Sequence, residues 1–582
     1  MRIILLMVVL LGAIAAMAEA DNRYCGPGDM ARFGAEKDGP AALPTRCINT
    51  SIASTPSSGR VITVSERDAV EQAVEQANCG DTIQLRAGAT FAPFRLVVKH
   101  CDAAHWITIR TSAADSALPP EGTRLTPCYA GVASLTGRPR YDCPQPKNVL
   151  AKIELKSGAG AIIVPEGANH YRLIGLEITR TPQTAIVYGL VKFEGSGDHI
   201  VIDRCWIHGS ELDETTRGIY LGSSSYVGVV DSYFTDFHCI ARTGACTDAQ
   251  AIAGGNGRTP MGIYKIVNNY MEGAAETVLF GGAGGSVIPS DIEVRRNYMY
   301  KPLTWMPGHA SFVGKAFIVK NLFELKNAER VLFEGNVLEN SWGGFSQIGY
   351  GILLTPRGSW AAVQDVTIRY SVISGTAAGI QMAASKADTG DSLAAQRWSI
   401  HDVLIRDLDA KFYNGDGVVF QLTSGFVQNA PLNNVSIDHV TVVPKTPVKN
   451  LILFGNAPGN PRSPFNIRIT NNILPGGRYS VWNAGGSLCA KSGNPEVIFD
   501  DCWKPSEVRN NVIYDYPGGQ GPWPRGNFLP KDLRAVGFLK TDEAQDGDYR
   551  LAPSSPYKGK ASDRKDIGAD IDAILSATAN VR

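Results

Sequence analysis

The chain has 582 residues, with 56 basic side chains against 56 acidic ones and no formal net charge. That balance offers no electrostatic footprint for nucleic acid or anionic lipid, and 44% apolar residues exclude a disordered chain. Ordinary domains of ~150 residues would number about four, unless the chain is built from repeats.

Residues 1–20 read as a secretory signal: Arg2, an apolar stretch from Ile3 to Ala16, and Ala18-Glu19-Ala20 as a small-x-small cleavage site. The stretch is shorter than the ~20 apolar residues of a membrane span, and no later segment is long and apolar enough. The expectation is a secreted or periplasmic protein with no transmembrane segment. Residues 21–60 follow as an N-terminal extension. Ten of the eleven cysteines fall into near pairs, Cys25/Cys47, Cys79/Cys101, Cys128/Cys143, Cys239/Cys246 and Cys489/Cys502. No CxxC or Cys/His spacing suits zinc, so local disulfides of an oxidising compartment are expected. Cys205 is left over in a strand-like run, as a buried thiol.

From Ser65 the pattern turns helical. Ser65 and Asp68 form a capping-box pair, Ala69, Val70, Ala73, Val74 and Ala77 an apolar stripe, and Gly80 a stop. Beyond it, short runs of alternating apolar residues recur, among them "YRLIGLEI" from Tyr171, "YKIVNNYM" from Tyr264, "RVLFEGNVL" from Arg330 and "NIRITNNIL" from Asn466. Second short runs such as "TVLFGGAGG" and "GILLTPR" lie between them. The period varies from roughly 27 to 39 residues, which suits a solenoid with loops on one face. Asn269, Asn297, Asn336, Asn472 and Asn511 occupy one position in their coils, where stacked side-chain amides can satisfy the backbone of a tight bend.

The helix followed by "GDTIQLRAGATF", and the tail "DYRLAPSSPYKGKASDRKDIGAD" from Asp548, resemble the right-handed parallel β-helix, pectate-lyase-like superfamily. The resemblance implies an all-β fold, a single right-handed parallel β-helix over residues 61–570 with an N-terminal amphipathic capping helix and a tail at 571–582. It implies a monomer whose partner is a polysaccharide. It is specific for fold more than for activity, since such a solenoid hosts lyases, hydrolases and purely adhesive surfaces.

Alternation decides where chemistry can sit. Placing Ile252, Val278, Phe323, Ile352 and Ile380 in one interior stack turns Glu324, Lys326, Thr355 and Gln381 outward as neighbours, with Arg357 one alternation further. Gly254, Gly255, Gly281 and Gly282 would form a shallow floor for a sugar ring. A lyase on a uronate polymer must neutralise the carboxylate, remove the C5 proton and serve the leaving oxygen. Arg357 suits the carboxylate and Lys326 the proton, while Glu324 would orient Lys326 or hold Ca²⁺. "FELKNAERVLFEGN" is similar, in residue types, to β-helix lyases of the alginate lyase and chondroitinase B type, which pair a Lys and an Arg with acidic calcium ligands. The alternative is an exposed cross-strand ion pair of little consequence. A second group, Asp236, His238, Asp248, Gln250, Glu272 and Glu276, could line the substrate groove, bind calcium near Asp248 or Glu276, or act as the acid and base of a glycoside hydrolase. The aromatic residues Trp305, Trp342, Phe345, Tyr350 and Trp360 could stack on sugar faces or plug loop bases. The Asp-Asp plus Gly-His-Gly pattern of polygalacturonases and the Arg-x-Pro-x-x-Arg of pectate lyases are missing. Three readings stand open: a lyase on an acidic glycan, a non-catalytic glycan-binding β-helix, and a hydrolase with paired carboxylates.

Overall fold

A computed structural model describes residues 25–182, 185–240, 246–345, 347–358, 360–385, 392–393, 395–425, 431–456, 463–483, 493–541 and 547–582. A three- to six-residue apolar run cannot close a core by itself. Here each run pairs, parallel and in register, with the equivalent run one coil on. Ser290–Arg295, Tyr298–Tyr300 and Asn321–Leu325 make up one coil. The first two belong to a 24-stranded sheet that wraps two faces of the solenoid, and the third to a 12-stranded sheet running from Phe94–Arg95 to Tyr479–Asn483. The parallel strands and their crossovers form a right-handed β-helix. The interior stack lies where alternation puts it: Ile252 pairs with Val278, Val278 with Phe323, Phe323 with Ile352 and Ile352 with Ile380.

The asparagines are stacked at one corner. The Asn297 side chain accepts from Asn269 N at 2.9 Å and donates to Ile266 O at 2.8 Å, while Asn297 N donates to Asn336 Oδ1 at 2.9 Å. Asn472 and Asn511 repeat the arrangement further along. A residue with positive φ precedes each corner, such as Asn268 (58°), Arg296 (55°) and Asn510 (57°), and this bend is what strands the backbone groups that the amides then satisfy. Cys205 N donates to Ser232 Oγ, and Ser232 N to Asn269 Oδ1, so the free buried Cys205 is the small residue at the start of this row. The disulfides Cys25–Cys47, Cys79–Cys101, Cys128–Cys143 and Cys239–Cys246 are formed. Cys489, and with it the fifth expected pair, lies outside the described residues, as does the signal segment.

At the N-terminal end the helix is shorter than the sequence suggests. It spans Val70–Gln76, with Ala69 at its N-cap and no side-chain cap, so Ser65 and Asp68 form no capping box. A turn at residues 67–68 precedes the helix, which places Val70, Ala73 and Val74 in the core.

Two terminal segments lie along the outside of the 24-stranded sheet. The first runs from the coils of Arg369 and His401 back toward the first coils: Asp38 pairs with Arg369 and His401, Ala42 N donates to Asp365, Thr45 N to Asp291, and Thr50 O accepts from Arg172. The second begins with the helix Ile571–Ala577, capped by Asp570, and continues until Val581 O accepts from Arg124 and Arg582 pairs with Glu339.

Candidate active site

The register that builds the core also fixes a cluster of charges on the 12-stranded sheet. Glu276 pairs with Asn321, Leu279 with Glu324, and Phe280 with Leu325, which pairs in turn with Leu354. Lys326 and Thr355 follow one residue later in adjacent coils. Glu276 is the centre. Gln250 Nε2 donates to its Oε2 at 2.7 Å, and the Lys320 and Lys326 ammoniums lie 3.5 and 4.0 Å from its Oε1. Lys326 Nζ is also 3.4 Å from Glu324 Oε1, which accepts from the Thr355 hydroxyl at 3.2 Å. The Asn321 amide donates to Glu324 Oε2 at 2.9 Å. Lys320 closes the group by pairing with Asp248.

The environment pushes the two glutamates apart. Burial alone would raise the Glu276 carboxyl, but the Lys320 and Lys326 ammoniums, with the Gln250 hydrogen bond, outweigh it and bring it down to about 2. Burial raises Glu324, the neighbouring Glu276 charge adds to the effect, and Lys326 offsets only part of it. The two carboxyls are therefore shifted in opposite directions, the kind of split that separates acid from base among catalytic carboxyl groups.

The sequence brings together Glu324, Lys326, Thr355, Asp248, Gln250 and Glu276, and two points of the expectation need correction. Glu324 and Lys326 do point away from the core, but they are 2% and 7% exposed, Glu324 among Asn321, Thr355 and Lys326, and Lys326 beneath Gly282. Only Asp248, whose side chain is 34% exposed, and Lys320, at 12%, reach the surface of the cluster. Nor is there an open glycine floor. Gly254, Gly255 and Gly281 are buried, and a Cβ on Gly281 would stand 2.5 Å from Asn327 N. Gly255 and Gly281 also have positive φ (79° and 95°), so these glycines serve tight turns and close backbone contact. Gly282 is exposed and lies against the Lys326 stem.

Arg357 is half-buried and joined to the cluster through its backbone N, which donates to Lys326 O at 3.1 Å. Gln381 is half-buried two coils from Glu324, with buried Leu353 between them in the row. His238 is elsewhere: its ring stacks on Phe317 at 3.8 Å, edge-on to Trp305, and burial brings it down to about 4. Asp236 and Glu272 form a separate buried group around Arg138. Trp305, Trp342 and Tyr350 are buried as plugs, whereas Phe345 and Trp360 are 36% and 66% exposed.

Alternation alone missed two cluster members. Lys320 and Asn321 sit where the strand Asn321–Leu325 begins, at a corner of the coil where strict alternation lapses. The Lys-x₅-Lys frame of "KNLFELK", with one lysine on each side of the strand, is the signal that was available.

A calcium ion does not fit the residues present. Asp248, Glu276 and Glu324 each face a lysine ammonium, and among the described residues the acidic or sulfur ligands within 4.8 Å of one another are Glu214, Cys239 and Cys246. The two sulfurs are joined as a disulfide, and a shell of roughly six to eight oxygens is not assembled.

No family model matches the chain, and no curated protein matches it. Among solved structures, the pectate lyase Pel9A is similar at 11% identity, with a TM-score of 0.34, over 89% of this chain and 97% of its own. The right-handed parallel β-helix itself rests on the strand pairings of this chain. The PL6 family alginate lyase AlyGC is similar at 12% identity and a TM-score of 0.38, over 88% of this chain and 58% of its own. The PL6 family polysaccharide lyase Pedsa3628 from Pseudopedobacter saltans gives 12% and 0.36, over 84% and 99%. At such identities the likeness ends with the coiled architecture.

Proposed function

We propose that the protein is an exported polysaccharide lyase that cleaves a uronate-containing glycan by β-elimination at the Glu276 cluster. The observation that carries this reading is the convergence of Lys320 and Lys326 on Glu276, beside a second carboxyl, Glu324, that burial inclines to stay protonated. Keeping this much charge out of water is costly for a solenoid whose sheets could be covered by apolar groups, which favours a functional role.

The sugar carboxylate enters over Asp248 and Lys320, the accessible members, and is neutralised by Lys320 with Arg357. With the proton that the pair shares resting on Glu324, 3.4 Å from Lys326 Nζ, Lys326 takes the C5 proton as the free amine and Glu324 supplies its own to the departing glycosidic oxygen. The C4–O bond breaks as the C4–C5 double bond forms, so no water is consumed. Because Lys326 and Glu324 are nearly covered, the turn at Gly282 must yield as the sugar ring arrives.

The split between Glu276 and Glu324 also suits a glycoside hydrolase, and the same experiment separates the two. Purified protein incubated with alginate, pectate and glycosaminoglycans should produce the ultraviolet absorbance of an unsaturated uronate. New reducing ends without that absorbance would replace the lyase by the hydrolase. Binding with neither product would leave a glycan-binding surface.

A further inference from the structure

We infer that Lys301 is a positioning residue for the Glu276 cluster, its ammonium clamping the two backbone corners from which Glu276 and Asn321 begin their strands. The inference rests on the lyase reading for its effect on rate, and on geometry alone for the clamp.

Lys301 follows the strand Tyr298–Tyr300 and is wholly buried. Its Nζ donates to Gly273 O at 2.6 Å, to Ala275 O at 3.2 Å and to Asn321 O at 2.7 Å. An ammonium carries three protons, so the three carbonyls use its full donor capacity. Gly273 and Ala275 form the turn directly before Glu276, and Asn321 opens the strand that carries Glu324 and Lys326. One side chain thus ties together the corners of two successive coils beneath the cluster. The tie adds to a backbone link already there, since Lys320 N and Asn321 N both donate to Ala275 O. Burial brings the Lys301 ammonium down to about 7, with the Glu276 charge pulling the other way, so the full three-donor form is held below about pH 7 and at a desolvation cost.

The test uses Lys301→Met, Lys301→Ala and Lys301→Arg in the full chain. Under the lyase reading, Lys301→Met should lower kcat by about 10- to 100-fold with KM within about threefold, the scale of misplacing reacting groups by roughly 1 Å. Propylammonium added to Lys301→Ala should restore part of kcat where 1-propanol of the same length does not, since both refill the cavity and only the ammonium has three donors. Unchanged kcat, or a loss that the amine leaves untouched, would overturn the positioning role. Amide hydrogen exchange reads the clamp without activity: faster exchange confined to 274–276 and 320–322 supports it, and unchanged or chain-wide exchange overturns it. Lys301→Arg keeps the charge but not the three-donor geometry, and should show the same local loosening if Lys301→Met does not fold. A parent protein inactive on every uronate glycan would sink the lyase reading, while the exchange result would still decide the clamp.

Discussion

Lys326 shows how burial changes the meaning of a substitution. Read as exposed, it would be removable at no cost to folding. With its ammonium between Glu276 and Glu324, Lys326→Ala leaves two buried carboxyl groups without that cation. Loss of one partner of a buried pair costs on the order of 3 kcal/mol. We expect a clear drop in thermal midpoint together with a loss of about 10²–10⁴ in rate. A variant as stable as the parent would mean that the cluster opens to water. Glu276 gives a second expectation, with its sign fixed by linkage. Its carboxyl is at about 2 in the fold against 4.5 when free, so its stabilisation is complete above 4.5 and is lost as pH falls toward 2. Urea unfolding of Glu276→Gln should show a shallower loss of stability across that window than the parent; an identical acid limb would contradict the assignment.

The asparagine corner and the N-terminal segment are elements held by polar groups rather than by apolar area. Replacing Asn297 with Ala removes the acceptor of Asn269 N and the donor to Ile266 O, and each buried group left unpaired costs about 1–3 kcal/mol. In a solenoid each coil contacts mainly its neighbours, so the damage should be local. Hydrogen exchange should quicken in the coils of Asn269 and Asn336 and stay unchanged around Asn472 and Asn511; uniform quickening would count against a nearest-neighbour ladder. The N-terminal segment is fastened at Asp38, between Arg369 and His401. Burial disfavours the His401 imidazolium, but hydrogen bonds to Asp38 and Asp402 prevail and raise it to about 9. A raised histidine stabilises fully below its free value of 6.5, and that stabilisation is lost as pH rises through about 9. Thermal unfolding should therefore weaken between pH 6.5 and 9 in the parent, and the slope should flatten in His401→Gln. If the slope persists, another group sets it.

At the scale of the molecule, the coiled architecture was readable because a strand's period of two repeats in every coil. Val278, Phe323 and Ile352 could be stacked from their spacing alone, and Asn269, Asn297 and Asn336 stood out as polar residues at one recurring place. The candidate site was readable only in part. Alternation states that Glu324 points away from the core, but not that Asn321, Thr355 and Lys326 will close around it. Lys320 meets Asp248 across 72 residues, a proximity that no local pattern encodes. The length of the helix depends on when Val70 can first reach the core, which the capping pair at Ser65 does not report.

The segment fastened at Asp38 bears on the order in which the chain can fold. Arg369 and His401 stand 331 and 363 residues beyond Asp38. Coils built from near neighbours in sequence can form one upon another as the chain emerges, whereas contacts this distant must wait. Residues 25–58 are synthesised before the coils they lie upon exist, so this stretch is among the earliest made and the latest to settle. Until then the outer face of the 24-stranded sheet at Asp291 and Asp365 stays open to water, and closing it links the coil of Arg172 to that of His401.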